Sequence, residues 1–180
     1  MNKQPTFVPR RQIITEYTVT SDDIDVMGIL YYGRYSIFFD IVRKLLFREY
    51  GYPDMYAWGE EGWTMPTIRY STRIFRMARE GDKLRLVSWV QAQKGVRLVL
   101  ALEVWSEDGS QQVAQGFCEG CFLDDKTFRP IKPADNWKLI RGLREEEAEY
   151  AEHGDAEEID VTYRPPIKQT DPDNHDPEKY

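Results

Sequence analysis

After Gly62 the hydrophobic period of this sequence changes from 3.6 residues to 2, and that change restricts the folds open to the chain. Between Tyr35 and Tyr50 the apolar residues follow the i, i+3, i+4, i+7 spacing of a helix, and Gly51 and Pro53 supply the stop. Apolar side chains cover most of the circumference and leave a narrow polar side. We therefore predict a helix over residues 35–50 that is enclosed by the rest of the fold.

Strand patterns lie on both sides of this helix. A first strand is predicted at Gln12–Thr20, and four more segments with alternating apolar residues come after Gly62. These four segments cover residues 63–75, 82–93, 96–106 and 112–123. The short connections between them predict that they pair in sequence as antiparallel hairpins. The order of elements predicts an α+β fold in which an antiparallel sheet wraps around one long central helix.

Charge is distributed unevenly along the 180 residues and divides the chain in two. Residues 144–180 carry 13 acidic and 4 basic side chains, a net charge of −9, whereas residues 1–143 carry 18 acidic and 20 basic side chains. The acidic segment has few apolar residues and cannot build a core. We predict one folded domain over residues 1–143 and an acidic, largely disordered tail over residues 144–180, with a short helix at its start.

Composition also limits the class of function. A net charge of −7 argues against a protein that binds the phosphate backbone of nucleic acid. No apolar run is long enough to span a membrane, and no signal-peptide block opens the sequence. We therefore expect a cytoplasmic protein without nucleic-acid or membrane partners.

Histidine and cysteine offer little to a catalytic centre in the predicted domain. Both histidines, His153 and His175, fall in the tail, so a Ser–His or Cys–His pair within the domain is not expected. Cys118 and Cys121 have the spacing of half a zinc site, but the sequence has no second ligand pair. We favour ordinary strand packing for these two cysteines over a redox or metal role.

An acidic loop that contains glycine connects the first strand to the helix. It reads DDIDVMGILYYG from Asp22 to Gly33, and Asp25 stands just before a turn that Gly28 permits. The start of a helix offers unpaired N–H groups and a positive dipole end, which stabilise an oxyanion. A carboxylate beside such donors acts as a nucleophile or deprotonates water, which is enough for acyl transfer without histidine. The alternative is that Asp22, Asp23 and Asp25 only cap the loop or the helix.

The residue order in this segment resembles that of a known enzyme family. The pattern D-x-D-x-x-G-I-x-x-Y-x-x-Y-x-x-x-x-D is formed by Asp23, Asp25, Gly28, Ile29, Tyr32, Tyr35 and Asp40. It is similar to the active-site segment of the 4-hydroxybenzoyl-CoA thioesterase family, whose members have the hotdog fold. Met65-Pro66, Gly81-Asp82 and the string FLDDKTFRPIKP resemble that family too, so the likeness covers roughly residues 12–137.

The resemblance implies roles for individual residues. Asp25 matches the catalytic carboxylate, Gly28 matches the turn glycine, and Tyr32 matches the residue whose backbone N–H holds the thioester oxygen. Asp40 matches an acidic helix position that approaches the acyl group in some members, with a solvated side chain as the alternative. Ile29, Tyr31 and Tyr32 stand where many relatives have His or Asn, which fits the branch that acts on aromatic acyl groups.

Coenzyme A carries phosphates, so basic residues are expected at the mouth of the site. Lys94 and Arg97 flank a predicted hairpin turn and are candidates for substrate binding, with plain surface charge as the alternative. Other basic residues near a strand end are Arg73, Arg76 and Arg79. Met55, Tyr56 and Trp58 lie just beyond the helix, where family members line the acyl pocket.

We predict an acyl-CoA thioesterase that releases the free acid and CoA and uses no metal or other cofactor. Two alternatives stay open: a thioesterase for acyl-carrier-protein thioesters, and a non-catalytic hotdog module that binds acyl-CoA. A sheet around one helix leaves an edge strand, so the subunits are expected to pair as a homodimer or homotetramer.

Overall fold

The computed structural model describes residues 11–53 and 57–153. The long helix, α1, spans Arg34–Glu49, within one residue of the predicted bounds. The chain leaves α1 through Gly51, whose φ of 86° is readily adopted by glycine but disfavoured for other residues. The N–H of Tyr52 then returns to the carbonyl of Phe47 at 3.0 Å. Gly51 is therefore the helix stop that the sequence predicts.

Seven strands and a second helix make up the rest of the described secondary structure, apart from two short 3₁₀ turns. The strands are β1 Ile13–Thr18, β2 Trp63–Thr64, β3 Thr67–Ile74, β4 Lys83–Lys94, β5 Arg97–Ser106, β6 Gln112–Cys121 and β7 Leu123–Asp124, and the second helix is α2 Lys138–His153. The 3₁₀ turns are Ser21–Asp23 and Ala57–Glu61. The predicted strand 63–75 is divided into β2 and β3 at Pro66, which has no N–H to continue a ladder.

Five strands form one antiparallel sheet in the order β1-β4-β5-β6-β3. Strands β4, β5 and β6 pair in sequence, as predicted. The prediction is wrong for β3, which pairs with β6 instead of β4. Apolar alternation identifies the face that a strand buries but not its neighbour, and the connection over residues 75–82 is too long for a tight hairpin. β1 and β3 are therefore the two edges of this sheet.

Helix α1 joins two apolar clusters. From its first turn to its middle, Tyr35, Phe38 and Val42 pack into a cluster with the inner faces of β4, β5 and β6, which we call the site-side cluster. At its C-terminal half Leu46 and Phe47 pack into a second cluster with the start of α2, which we call the α2-side cluster. Phe38 and Val42 have no exposed surface. The opposite side of α1 is exposed at Ile37, Asp40, Lys44, Arg48 and Glu49, so the prediction is confirmed for the buried face and wrong for the enclosure of the whole helix.

A distant side chain caps the start of α2. Glu61 Oε1 accepts the backbone N–H of Lys138 at 3.0 Å. Its Oε2 accepts the Tyr52 hydroxyl at 2.6 Å and the Trp63 indole N–H at 3.1 Å. The Tyr52 oxygen in turn accepts the N–H of Leu139 at 3.0 Å. Because the first N–H groups of a helix lack partners within it, this network determines where α2 docks.

Helix α2 crosses the predicted domain boundary. It begins at Lys138 and continues to His153, and so the short helix expected at the start of the tail is its second half. Glu146, beyond the boundary at Leu143, is only 5% exposed and lies 3.4 Å from Nε of Arg11. Residues 154–180 lie outside the described residues, and their disorder stays a prediction.

Both cysteines are buried in β6. Cys118 belongs to the site-side cluster, and its Sγ lies 3.4 Å from the Thr67 hydroxyl. Burial raises the pKa of the Cys118 thiol, so the thiol form is favoured over the reactive thiolate. This environment agrees with the strand packing that we favour for the pair.

Candidate active site

The loop between β1 and α1 folds back on itself as a small hairpin. Ile24 and Leu30 form an antiparallel bridge, and the N–H of Asp25 donates to the carbonyl of Ile29 at 2.9 Å. The N–H of Gly28 closes the turn on the carbonyl of Asp25 at 2.9 Å. Gly28 has a φ of 71°, which explains why the turn contains glycine. The structure thus has the turn that the sequence predicts, with Asp25 at its first position.

The Asp25 carboxylate lies at the surface of this turn. One oxygen, Oδ1, accepts the N–H of Met27 at 2.8 Å, which fixes the side chain against its own turn. Among the residues that the structure describes, Oδ2 has no hydrogen-bond partner. Asp25 is half-buried, whereas Val26 and Met27 are exposed. The carboxylate is therefore held in place and keeps one oxygen accessible.

The capping role weighed for the three aspartates applies to Asp23. Its side chain is 2% exposed and accepts hydrogen bonds from Thr20, as part of the capping box of the first 3₁₀ turn. Burial alone would raise the pKa of Asp23, but hydrogen bonds from Thr20 and Tyr17 and the charge of Arg34 outweigh it and lower the pKa. Asp22 is exposed. The aspartate with an accessible carboxylate oxygen next to the turn is Asp25.

The start of α1 follows this loop directly. The N–H of Tyr31 donates to the carbonyl of Asp23 at 2.9 Å, and the N–H of Arg34 donates to the carbonyl of Tyr31 at 2.8 Å. Within the described part of the chain, the N–H groups of Tyr32 and Gly33 have no acceptor. The N-cap residue, Gly33, has no side chain to cap the helix, and the first turn of α1 contains no acidic residue. The helix start therefore keeps donors and positive potential for a ligand oxygen.

Gly33 is a site residue that the sequence reasoning missed. Its φ of −65° suits any residue, so backbone conformation does not require glycine. A Cβ at this position would lie 2.5 Å from Cε1 of Tyr31, because the Tyr31 ring covers the glycine. The absence of a side chain lets this ring lie against the helix start. A glycine just before the predicted helix is the signal in the sequence that points to it.

Tyrosine rings surround the helix start. The rings of Tyr31 and Tyr32 have centroids 4.5 Å apart, and both side chains are exposed. The pKa of Tyr31 is raised, chiefly by its hydrogen bond with Tyr32 and also by nearby Tyr70 of β3. We call Tyr31, Tyr32 and Tyr70 the tyrosine rim. The rim places exposed aromatic rings beside the open N–H groups.

Asp40 lies farther along α1, about 10 Å from Gly33 at the rise of a helix. Its exposed carboxylate pairs with Nη2 of Arg43 at 2.8 Å. Nη1 of Arg43 reaches the hydroxyl of Thr67 in β3 at 3.1 Å. This ion pair thus faces the gap between α1 and the edge strand β3, and Asp40 is neither isolated nor buried.

The two predicted coenzyme contacts lie far from Asp25 within one chain. The Asp25 turn is tied to the segment that leads into β4, since the N–H of Leu30 donates to the carbonyl of Ala78 at 2.8 Å. Lys94 and Arg97 flank the turn at the other end of β4, roughly 35 Å away along a 12-residue strand. Arg97 also pairs with the buried carboxylate of Glu119 at 2.7 Å. One chain therefore does not bring these two residues together with Asp25.

A different arginine lies next to the turn. Nη1 of Arg79 is 3.4 Å from the carbonyl of Gly28, and its guanidinium is exposed. The N–H of Arg79 donates to Oδ2 of Asp82 at 2.8 Å, which fixes the backbone of this segment. Arg79 is the basic residue among the sequence candidates that the structure places beside the Asp25 turn.

Comparison with known proteins identifies the family. The model of the thioesterase-like superfamily matches residues 19–143, a region that holds the loop, α1 and every strand of the sheet except β1. The chain belongs to the thioesterase-like superfamily. The predicted class, a thioester hydrolase, agrees with this membership.

Individual relatives of this superfamily member are distant in sequence. The candidate acyl-CoA thioesterase YneP of Bacillus subtilis is 22% identical over 127 residues, which cover 69% of this chain and 86% of YneP. The DHNA-CoA thioesterase of Staphylococcus aureus has a TM-score of 0.69 at 22% identity, over 78% of this chain and 94% of its own. The 4-hydroxybenzoyl-CoA thioesterase of Pseudomonas sp. strain CBS-3 has a TM-score of 0.63 at 20% identity, over 72% of this chain and 99% of its own. These likenesses confirm the hotdog fold, while membership of the narrower 4-hydroxybenzoyl-CoA family stays a prediction.

Some sequence predictions fall outside what the structure describes. Met55 and Tyr56 are outside the described residues, as are the side chains of Trp58 and His153 and the whole of His175. Their proposed links to the acyl pocket or to catalysis stay predictions. None of the described helices is long and apolar enough to span a membrane.

Proposed function

We propose that this superfamily member hydrolyses an acyl-CoA thioester, with Asp25 as the reacting carboxylate and the N–H of Tyr32 as oxyanion donor. The observation that supports this most is the continuity of the loop. A carboxylate with an accessible oxygen and a helix start with open N–H groups are seven residues apart, and the Ile24–Leu30 bridge holds the two arms together. A nucleophile or base beside oxyanion donors is the equipment that acyl transfer requires.

Two routes are consistent with this arrangement. As a general base, Asp25 takes a proton from water, the hydroxide attacks the thioester carbon, and the oxyanion is held at the helix start until the thiolate leaves. As a nucleophile, Asp25 attacks the same carbon, expels the thiolate and forms an anhydride that water then hydrolyses. Both routes give the free acid and CoA with only water as co-reactant. We propose that no metal or prosthetic group takes part.

The tyrosine rim supports an aromatic acyl group. Its exposed rings lie beside the proposed oxyanion donors, where offset or edge-on ring contacts are favourable. Two structural relatives are named for thioesters of aromatic acids, DHNA-CoA and 4-hydroxybenzoyl-CoA. In this proposal Asp40, with Arg43, contacts the far end of the acyl group in the gap beside β3.

The coenzyme phosphates are proposed to contact Arg79. Its guanidinium is exposed and lies on the same side of the chain as the Asp25 turn. Arginine binds phosphate through parallel N–H bonds, which suits the pyrophosphate of CoA. Lys94 and Arg97 can contribute to the same site only from a second subunit.

A homodimer formed through β3 is the assembly that we propose. β3 is an edge strand, and Tyr70 and Ile74, both exposed, lie on the sheet face that packs on α1, since their partners in β6 belong to the site-side cluster. An exposed apolar edge strand invites pairing with another strand, and a two-fold axis would join two copies of β3. Such a dimer would cover the gap beside Asp40. Sedimentation of a fully active monomer would contradict this.

Replacement of Asp25 tests the function directly. Asp25→Asn removes the charge with little change of volume, so we expect kcat to fall at least ~100-fold while KM and the fold stay nearly unchanged. Asp22→Asn is the matched control, because Asp22 is exposed and its side chain lies outside the proposed site. The assay is thiol release from aliphatic, branched and aromatic acyl-CoA esters. Full turnover by Asp25→Asn would rule out the assignment.

The same assay separates the two alternatives. A non-catalytic module would bind acyl-CoA saturably and release no thiol from any ester. A carrier-protein thioesterase would act far faster on acylated carrier protein than on acyl-CoA with the same acyl group. Thiol release from acyl-CoA at a rate at least equal to that from the carrier would support our proposal.

A further inference from the structure

The carboxylate of Asp23 gathers more hydrogen-bond donors than its capping role needs. Oδ2 accepts the Tyr17 hydroxyl at 2.8 Å, the Thr20 N–H at 2.8 Å and the Thr20 hydroxyl at 2.9 Å. Oδ1 pairs with Nε of Arg34 at 2.9 Å. Asp23 is 2% exposed, so an ionised group is buried with all its partners in place.

These partners come from three consecutive segments at the candidate site. Tyr17 belongs to β1, Thr20 starts the loop, and Arg34 is the first residue of α1. Nη2 of Arg34 also donates to the carbonyl of Asp22 at 2.7 Å, while the carbonyl of Asp23 accepts the N–H of Tyr31. One side chain therefore connects the strand, the loop that carries Asp25 and the helix start.

Stability alone does not account for this arrangement. Burial of the Asp23 carboxylate carries a desolvation cost that its attraction to the partly exposed Arg34 barely offsets, so apolar residues of similar volume usually serve stability as well. A buried charged network does, however, hold its partners in one geometry. Catalysis requires such geometry, since a displacement of about 1 Å in a reacting group can cost ~100-fold in rate.

We propose that Asp23 is a positioning residue for the reaction: through Arg34 and Tyr17 it fixes the Asp25 turn against the N–H donors at the start of α1. This inference rests on the proposed function, in which Asp25 and the helix start act together. Asp23 itself touches no substrate. It acts by fixing the position of the Asp25 oxygen relative to the Tyr32 N–H.

The central test is a double-mutant cycle. Asp23→Asn removes the charge that holds Arg34, and we expect kcat to fall ~10–100-fold with KM within ~3-fold, because geometry in the transition state is lost before binding. In an Asp25→Asn background, the same Asp23→Asn change should lower the residual rate by less than ~3-fold. A loss that only reflected weaker folding would be as large in both backgrounds, and that result would overturn the proposal.

A second pair of variants keeps the proposal testable if Asp23→Asn does not fold. Arg34→Lys retains the positive charge but cannot reach both Asp23 and the carbonyl of Asp22, so kcat should fall with KM little changed. Tyr17→Phe removes one of four donors and should show a smaller loss of the same kind. Circular dichroism and thermal midpoints of each variant establish that folded protein is compared.

The outcomes distinguish this inference from the proposed function. Full activity of Asp25→Asn would refute the function, whatever Asp23 does. An inactive Asp25→Asn together with unchanged kcat in folded Asp23→Asn and Arg34→Lys would refute the positioning role alone. A fall in kcat for the Asp23 and Arg34 variants that disappears in the Asp25→Asn background supports both.

Discussion

Replacement of Glu61 by glutamine removes the charge from the carboxylate that caps α2, and the structure indicates the size of the loss. Three donors converge on this carboxylate, from Lys138 on Oε1 and from Tyr52 and Trp63 on Oε2. A glutamine has only one acceptor oxygen. It can accept either from Lys138 or from Tyr52 and Trp63, and its NH₂ group then faces the remaining donors, which lose their acceptor. A hydrogen bond to a charged group contributes about 1.5–3 kcal/mol against about 0.5–1.5 for a neutral one, and a buried donor without acceptor costs about 1–3 kcal/mol. We therefore expect Glu61→Gln to lower the free energy of unfolding by about 3 kcal/mol, out of a typical total of about 5–15 kcal/mol.

Urea denaturation followed by tryptophan fluorescence measures this change. The rings of Trp63 and Trp137 stack with centroids 5.2 Å apart beside the network, so their emission reports its loss. Glu60→Gln is the matched control, since Glu60 is the exposed neighbour and its change should stay within about 0.5 kcal/mol. Turnover by folded Glu61→Gln should match the wild type. Glu61 bonds to Tyr52 and Trp63 of the α2-side cluster, whereas the arms of the Asp25 turn pack on the site-side cluster through Ile24 and Leu30. Equal unfolding free energies for the two variants would refute the reasoning.

Alkaline pH should destabilise the fold through Tyr35, because burial raises the pKa of its hydroxyl to about 12. The folded state then holds this proton more tightly than the unfolded chain, so the contribution of Tyr35 is complete below about pH 10 and lost as pH rises toward 12, about 2 kcal/mol in all. Tyr35→Phe should flatten the fall in urea-measured stability over that range, and an unchanged slope would contradict the assignment. For the coenzyme, Arg79→Ala should raise KM for acyl-CoA about 5-fold at nearly constant kcat, as expected for one lost phosphate contact, whereas Lys94→Ala should leave KM unaltered. The reverse pattern would place the coenzyme at the far turn of the sheet.

Local patterns in the sequence were enough to predict α1 and the hairpins of β4, β5 and β6. Helix periodicity and a stop glycine are local signals, and so are two short turns between alternating segments. The position of β3 depends on pairing between residues 67–74 and 114–120, which alternation does not encode. Nor does it show that Glu61 caps a helix that begins 77 residues later.

The candidate site also has features that local sequence predicts and features that depend on the three-dimensional fold. The pattern around Asp25 predicts the turn and the helix start, because both depend on neighbouring residues. It does not say that Asp23 is the buried carboxylate, since that follows from the positions of Tyr17 and Arg34 in three dimensions. Lys94 and Arg97 were predicted at the mouth of the site because they flank a turn. A turn pattern in the sequence does not show at which end of the sheet the turn lies.

The surface position of the Asp25 turn makes it a convenient target for protein engineering. Val26 is fully exposed and Met27 is 68% exposed, and the turn uses only the backbone N–H of Met27. Side chains at these two positions are therefore free to vary, apart from proline at 27, while Gly28 must stay for its positive φ. A combinatorial library at positions 26 and 27 would place new chemical groups next to the Asp25 carboxylate without altering the core, and so would explore substrate range at little cost in folding.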